Sequence, residues 1–320
     1  MTGLATTGTI PTRANAIAIA IASALSVFLF LGLPLLLDDG PGPLALLAVL
    51  PVLAIVPHWA LIHEAVHGHL LPGRRANELA GHLLAILFLA PFPALRFGHL
   101  SHHALNARAT ERPELYDPAT TPRLRAALAY YPRLLGGLYL FEVLSGPLSL
   151  LPRRVLRPLV RRVFYEGAQE AMGMAERAER RLLEPGTLRA IRLDALLVLL
   201  LLLVSVQLYG ANWPVLAAAL LARAFLVSLM DNAPHYGGPL ADPDQGYDMR
   251  ASPLLSLLVL HTNLHGTHHR HPGLPWTALP AAFAAEGGRF DGHYLLRPWR
   301  QLRGPIPLDR LAPSRAEGQP

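Results

Sequence analysis

Cysteine is absent from this 320-residue chain, and so is lysine: all 28 basic residues are arginine. Without thiols there is no disulfide, no thiolate metal site and no protein-ligated iron–sulfur cluster, so any metal must be held by nitrogen and oxygen. Charge is scarce too. Only 16% of residues are charged against 52% hydrophobic, and the mean hydropathy is +0.32, a balance expected of a membrane protein rather than of an ordinary cytosolic enzyme. The pI near 10.0 raises nucleic acid as a partner. The arginines, however, border apolar runs instead of forming a patch interleaved with aromatics, so the lipid bilayer accounts for them and no nucleic acid is expected.

What the chain does have is long apolar runs. Ala14 to Leu37 carries no charge and is long enough as a helix to cross a ~30 Å hydrocarbon layer. It is too long for a signal-peptide core. After "DDGPGP", Leu44 to Ile62 forms a second span, and the two read as a helical hairpin. Leu193 to Tyr209 and Trp213 to Met230 form a second hairpin around "GAN", with Tyr209 and Trp213 placed as interfacial aromatics. The expected fold is therefore all-α and polytopic. Four transmembrane helices, at about 14–37, 44–62, 193–209 and 213–230, form two hairpins beneath a cytoplasmic, histidine-rich cap of interfacial helices.

Two further segments, Leu79 to Pro93 and Pro132 to Pro152, are apolar but interrupted by proline, glycine, His82 or Glu142. If the histidine clusters on either side of them build one site, an even number of crossings must separate those clusters. Both segments are accordingly read as interfacial or re-entrant. Arginine placement agrees: 18 lie between residues 64 and 192, 8 after residue 231, and Arg13 precedes the first span, all on one side of a four-span chain. This positive-inside pattern puts both termini and the site on the cytoplasmic side of an integral membrane protein, with a bacterial inner membrane as the expected location. Arg223, inside the fourth span, is expected to snorkel to the interface or to pair with Asp231. Residues Pro152 to Glu184, rich in arginine and glutamate at helical spacing, read as an interfacial amphipathic segment. Residues 1–303 form a single domain, and 304–320 a loose tail.

Histidines gather just past the helix ends. "HEAVHGH" spans His63 to His69, "HLSHH" spans His99 to His103, and "HGTHH" spans His265 to His269. Positions i and i+4 share a helix face, so His63 and His67 can grip one ion; His99, His102 and His103, and likewise His265, His268 and His269, repeat the pattern at i, i+3 and i+4. Neutral imidazole suits iron, copper, zinc or nickel, and eight such donors are too many for one small cation, which implies two metals. His235, in "DNAPHYG", is either a further ligand or simply a histidine at a helix exit, and His69 and His261 are open in the same way. His58, His82, His271 and His293 read as supporting or interfacial. "HEAVH" also satisfies the H-E-x-x-H zinc-protease signature, with Glu64 as general base, so an intramembrane zinc metalloprotease is the competing class. That reading leaves both H-x-x-H-H groups unexplained.

In order and spacing, H-x-x-x-H, H-x-x-H-H and H-x-x-H-H between two hairpins resemble the three boxes of the membrane-bound fatty acid desaturase family, which includes related lipid and carotenoid hydroxylases and ketolases. The first box continues into glycine, "HEAVHG". The third is preceded by Asn263 and followed by "HHRHPGLPWTALP", similar to the proline-spaced continuation of that box in the family, and the histidine of "HYG" resembles the family's additional ligand. The likeness covers roughly residues 58 to 280. It implies two iron ions (Fe2+) held by His63, His67, His99, His102, His103, His235, His265, His268 and His269, with dioxygen as co-substrate. Glu64, His69, Asp231, Asn232, His261 and Asn263 are candidates to orient those ligands. The implied substrate is a fatty acyl lipid or an acyl-CoA or acyl-carrier conjugate, and the implied reaction is desaturation, with lipid or carotenoid hydroxylation or ketolation as the alternative. The chain has no fused haem domain: "HPGL" at His271 lacks the second glycine of the haem-binding signature. The two electrons are therefore expected from a separate donor protein.

Overall fold

The computed structural model describes residues 8–37, 42–106, 108–164, 173–240, 242 and 244–311. The turn at 38–41, the middle of the arginine–glutamate segment at 165–172 and the end of the expected tail at 312–320 lie outside the described residues. Most described residues are helical, and the strands among them are two-residue pairings.

Two helical stretches open the chain, α1 (Thr12–Leu36) and α2 (Pro43–His67), each long and apolar enough to cross a membrane. They lie side by side because polar atoms link them. His58 Nε2 donates to the Leu84 carbonyl at 2.8 Å, which leaves its Nδ1 to accept from the Ser26 hydroxyl at 3.2 Å. His58 is thus a tie between helices, 1% exposed, rather than an interfacial residue. At the other end Asn15 Nδ2 donates to the Leu70 carbonyl at 2.8 Å, so the start of α1 sits beside the end of α2. Leucines and isoleucines such as Ile17, Ile21, Leu46 and Leu50 point outward while Asn15, Ser26 and Ser205 are buried. This inversion is the one expected where lipid, not water, is the solvent.

A third long apolar stretch runs from Pro185 to Asp231 and consists of α9 (Pro185–Tyr209) and α10 (Trp213–Asp231). Straight, the 29 residues from Asp194 to Arg223 would span ~44 Å. Yet Asp194 bonds His82 and Arg223 bonds the Leu87 carbonyl, five residues apart on one helix, so the chain must double back. The reversal falls at Gly210, whose φ of 49° and ψ of −122° suit glycine.

Between these hairpins, α3 (Arg74–Phe88) and α4 (Phe92–Leu105) meet at a 97° bend. Leu89 adopts a left-handed φ of 73°, and Pro91 and Pro93 cannot supply the N–H groups that would carry a straight helix through. Asp194 closes the bend: its carboxylate accepts from His82 Nδ1 at 2.8 Å and from the Phe92 amide at 3.0 Å. Arg223 departs from expectation. It neither snorkels nor pairs with Asp231; it is 0% exposed, donates to the Leu87 carbonyl at 3.1 Å and lies 5.3 Å from the Phe30 ring centroid. The last carbonyls of α3 have no intrahelical donor and carry the negative end of the helix dipole, which is where a buried guanidinium is best placed.

The segment from 123 to 149 is bent rather than straight: α5 (Arg123–Pro132) and α6 (Leu138–Ser149) are joined by a π turn in which Gly136 has a φ of 138°. Next come two short amphipathic helices, α7 (Arg153–Val163) and α8 (Met174–Leu182). Arg157 and Arg161 both pair with Glu179 on the outer face, while Leu156, Leu183 and Leu188 cluster beneath. The tail begins later than residue 304. Ile306–Pro307 pairs in parallel with Leu115–Tyr116, and the Ile306 amide donates to the Glu114 carbonyl at 2.7 Å, so the domain extends past 303.

Replacing Asp194 with alanine leaves a half-buried histidine N–H and a buried backbone amide unsatisfied. It should destabilise the detergent-solubilised protein by about 2–4 kcal/mol, read as a lowered unfolding midpoint; an unchanged midpoint would show that the bend does not depend on this carboxylate.

Candidate metal centre

The first box sits at the C-terminal end of α2, where His63 and His67 stand one turn apart and Gly68, with a φ of 81°, ends the helix. The second box occupies the last turns of α4. The third lies on the short helix α11 (Pro253–Leu258) to α12 (His265–Arg270) stretch, on α12 itself. His235 follows α10 in the turn that leaves it.

These nine histidines fall into two groups. The donor atoms of His63, His67, His99, His103 and His268 lie within 4.8 Å of one another, as do those of His102, His235, His265 and His269. The three-histidine boxes are therefore each divided between the groups instead of gripping one ion. Helix geometry gives the reason: relative to position i, residue i+4 is turned ~40° one way and i+3 ~60° the other. His99 and His103 accordingly face the first group while His102 faces the second. On α12 the pair His265 and His269 faces the second group and His268 crosses to the first.

Nitrogens face nitrogens. His67 Nε2 lies 3.0 Å from His99 Nε2, His99 Nε2 3.1 Å from His103 Nε2, and His103 Nε2 3.1 Å from His268 Nε2. In the second group His235 Nε2 is 3.1 Å from His102 Nε2 and 2.8 Å from His265 Nε2, which is 3.0 Å from His269 Nε2. Two nitrogens bound ~2.1 Å from one ion at right angles would be ~3.0 Å apart, so this spacing suits ligands of a shared cation. Imidazolium is disfavoured: burial and the neighbouring histidines hold His235, His265 and His268 well below the usual histidine range. His63 Nε2 is buried with no hydrogen-bond partner among the described residues. Five nitrogens in the first group exceed the four of a closed tetrahedral zinc site and suit an ion of higher coordination number.

Behind the second group lies a buried network that spacing gives no hint of. His235 Nδ1 is 3.3 Å from Gln245 Oε1, which also accepts from Arg112 at 3.2 Å. Arg112 pairs with Glu114 at 2.9 Å, and the two are 1% and 0% exposed. Glu114 in turn accepts from Asn232 Nδ2 at 3.0 Å and from the Gly237 amide at 3.2 Å. With its Nδ1–H held by Gln245, His235 presents an Nε2 lone pair to the group, the arrangement that fixes a ligating tautomer. Asp248 steadies α12, accepting from the Thr267 amide at 2.9 Å and from Arg270 at 3.0 Å. The only sequence signal for these residues is that "RPE" places opposite charges close together nine residues after the second box.

Of the orienting candidates, Asn232 belongs to this network. Glu64 Oε2 accepts from the Trp276 amide at 3.2 Å, and its other oxygen is 3.8 Å from His63 Nδ1, so its carboxylate is committed to the backbone of the third box's continuation. The His69 ring lies 6.1 Å from that of His67, and His69 is in neither group. His261 Nδ1 is 2.7 Å from Ser256 Oγ, and Asn263 bonds Ser256 Oγ and the Met249 carbonyl; both brace the loop before α12. Asp231 lines the cavity beside the histidines. Of the histidines read as supporting or interfacial, His82 holds Asp194 and His271 bonds Glu286 at 2.5 Å.

Two nitrogen-rich cages at the ends of apolar helices define a class, a helical protein with apolar, membrane-length helices and two histidine groups that could each hold a metal ion. Residues 40–301 match the family model described as fatty acid desaturase, so the chain belongs to the fatty acid desaturase family. No curated protein matches the chain. Membership points to an oxidoreductase, in a family known for diiron centres.

Metal analysis of iron-loaded protein should give about two ions per chain, with His268→Ala and His265→Ala each losing about one and Glu64→Gln losing none. One zinc and no iron in the wild type would refute the two-cage assignment.

Proposed function

We propose that the protein is a four-span membrane oxidase that uses dioxygen and electrons from a separate donor protein to desaturate a fatty acyl chain. The observation that carries this is the position of the histidine cages: His63, His99, His102, His235 and His265 form part of the wall of one cavity of about 610 Å3, within the usual size range of ligand pockets. Elsewhere its walls are side chains such as Leu95, Leu138, Phe141, Leu159, Val163 and Phe164. An acyl chain can lie along such a surface with its methylenes against the cages.

The nine histidines fit a diiron centre by donor type, number and spacing. Two iron ions held there would supply the one-electron chemistry needed to take hydrogen from an unactivated methylene. The protein's own residues do the rest. Apolar walls exclude water from the reacting carbon, and the Arg112–Glu114–Gln245 network keeps His235 in one tautomer. The nine donors are neutral, so they would leave the positive charge of two bound ions uncompensated by the ligands.

The arginine-rich outer faces of α7 and α8 lie over the apolar cluster that continues into the cavity wall, and they suit both anionic lipid headgroups and an acidic donor protein. Both termini and the cages are assigned to the cytoplasmic side on arginine placement. The metalloprotease alternative loses its central residue, because Glu64 faces the Trp276 amide and the first cage already offers five nitrogens.

Lipid profiling of a host expressing the protein tests the proposal. Aerobic cells should accumulate acyl chains lacking two hydrogens, and the His268→Ala protein, inserted to the same level, should produce none. Chains that gain an oxygen instead would reassign the reaction to hydroxylation or ketolation, and an unaltered lipid pool alongside iron-loaded, reduced protein would overturn the oxidase reading.

A further inference from the structure

The cavity wall is not uniformly apolar. Glu142 on α6 and Asp231 at the end of α10 both face it, brought together because these helices pack against each other. The hydroxyls around them are already committed: Ser145 Oγ donates to the Glu142 carbonyl at 2.6 Å, Ser149 Oγ to the Gly146 carbonyl at 2.6 Å and Thr262 Oγ1 to the Val259 carbonyl at 2.9 Å. The carboxyl groups are not. Glu142 Oε2 is buried without a hydrogen-bond partner, and neither acid has an ion pair among the described residues, although Arg133 and Glu111 also line the cavity. Burial, with the Asp231 carboxylate nearby, pushes Glu142 well above the usual carboxylate range.

A saturated hydrocarbon chain filling this space would strip water from Asp231, which is exposed to the cavity, leave the buried Glu142 Oε2 as unpartnered as before, and offer nothing in return. Unsatisfied buried acceptors are costly and rare, and where they persist at a binding surface a ligand donor is the natural partner. Asp231 is also four residues before His235, so a group held by the pair lies close to the second cage in the chain's own geometry. We propose that the substrate is a long apolar molecule bearing an alcohol or amine, whose O–H or N–H is accepted by Glu142 and Asp231 inside the cavity. This rests on the oxidase reading of the same cavity and narrows it. The two acids select chains that already carry a polar donor, and by anchoring that donor they set which carbon faces the cages.

The alcohol and the amine are separable. An alcohol needs acceptors only, whereas an ammonium also gains from negative charge. The experiment uses full-length protein in nanodiscs and reads displacement of a dibrominated stearate ester that quenches Trp59, which lines the cavity. The competitors are 1-octadecanol, octadecylamine, methyl stearate and n-octadecane. At least one of the first two should bind about tenfold tighter than methyl stearate. That advantage should vanish in Glu142→Leu/Asp231→Leu, with methyl stearate binding unchanged or improved. In Glu142→Gln/Asp231→Asn an alcohol should keep its advantage and an amine should lose it.

Equal binding of all four competitors to the wild type overturns the inference whether or not the double variants fold, and so does an advantage that survives the leucine pair. A cavity that takes donor-free chains just as well leaves the oxidase reading standing. A cavity that takes none of the four overturns both.

Discussion

Neutral imidazole nitrogens brought within about 3 Å of one another in a dry setting are the constraint on which this structure turns. Such an arrangement is repulsive unless a cation or a proton lies between the lone pairs, and burial disfavours the proton. The surrounding fold can be read as the apparatus that holds this arrangement in place. Helix ends deliver the histidines, a buried ion pair braces the turn carrying His235, and Asp248 clamps the short helix of the third box.

The division of each three-histidine box between two cages ties the elements together. Because α4 gives two donors to one cage and one to the other, and α12 does the reverse, neither helix can shift without disturbing both cages. Rigidity of this kind suits the proposed reaction, in which placement of a chain of many equivalent methylenes decides the product. The 97° bend between α3 and α4 serves the same end, since it turns the second box back toward the end of α2. His82, Asp194 and Arg223 hold the bend through atoms that an unbroken helix would have satisfied by itself.

The chain solves a solvent problem in the opposite sense to a soluble protein. Its exposed surface along α1, α2, α9 and α10 is rich in leucine and isoleucine, and its helix contacts add buried serine, histidine, asparagine and tyrosine hydrogen bonds to clusters of apolar side chains. In a hydrocarbon surround there is little to gain from burying one more leucine, so packing and hydrogen bonds carry the association. The cavity fits the same logic: its wall is largely apolar, and the unpartnered Glu142 Oε2 stands out among the residues that line it.

The sequence by itself determined the helical membrane class and the eight histidines of the three boxes, while spacing left His235 open, because period and composition are local properties: apolar run length measures a bilayer, and i, i+4 spacing measures a helix face. It also showed which segments break, through Pro91, Pro93 and the Gly136–Gly137 pair. Only the tertiary structure decided how those histidines divide between two cages, that Arg223 caps a helix end rather than reaching the interface, and that Ile306 extends the domain beyond residue 303. The Arg112–Glu114–Gln245 network and the meeting of Glu142 with Asp231 belong with these. They join residues more than a hundred or nearly ninety positions apart through single side-chain contacts or a shared wall, and such pairings leave no periodic trace along the chain.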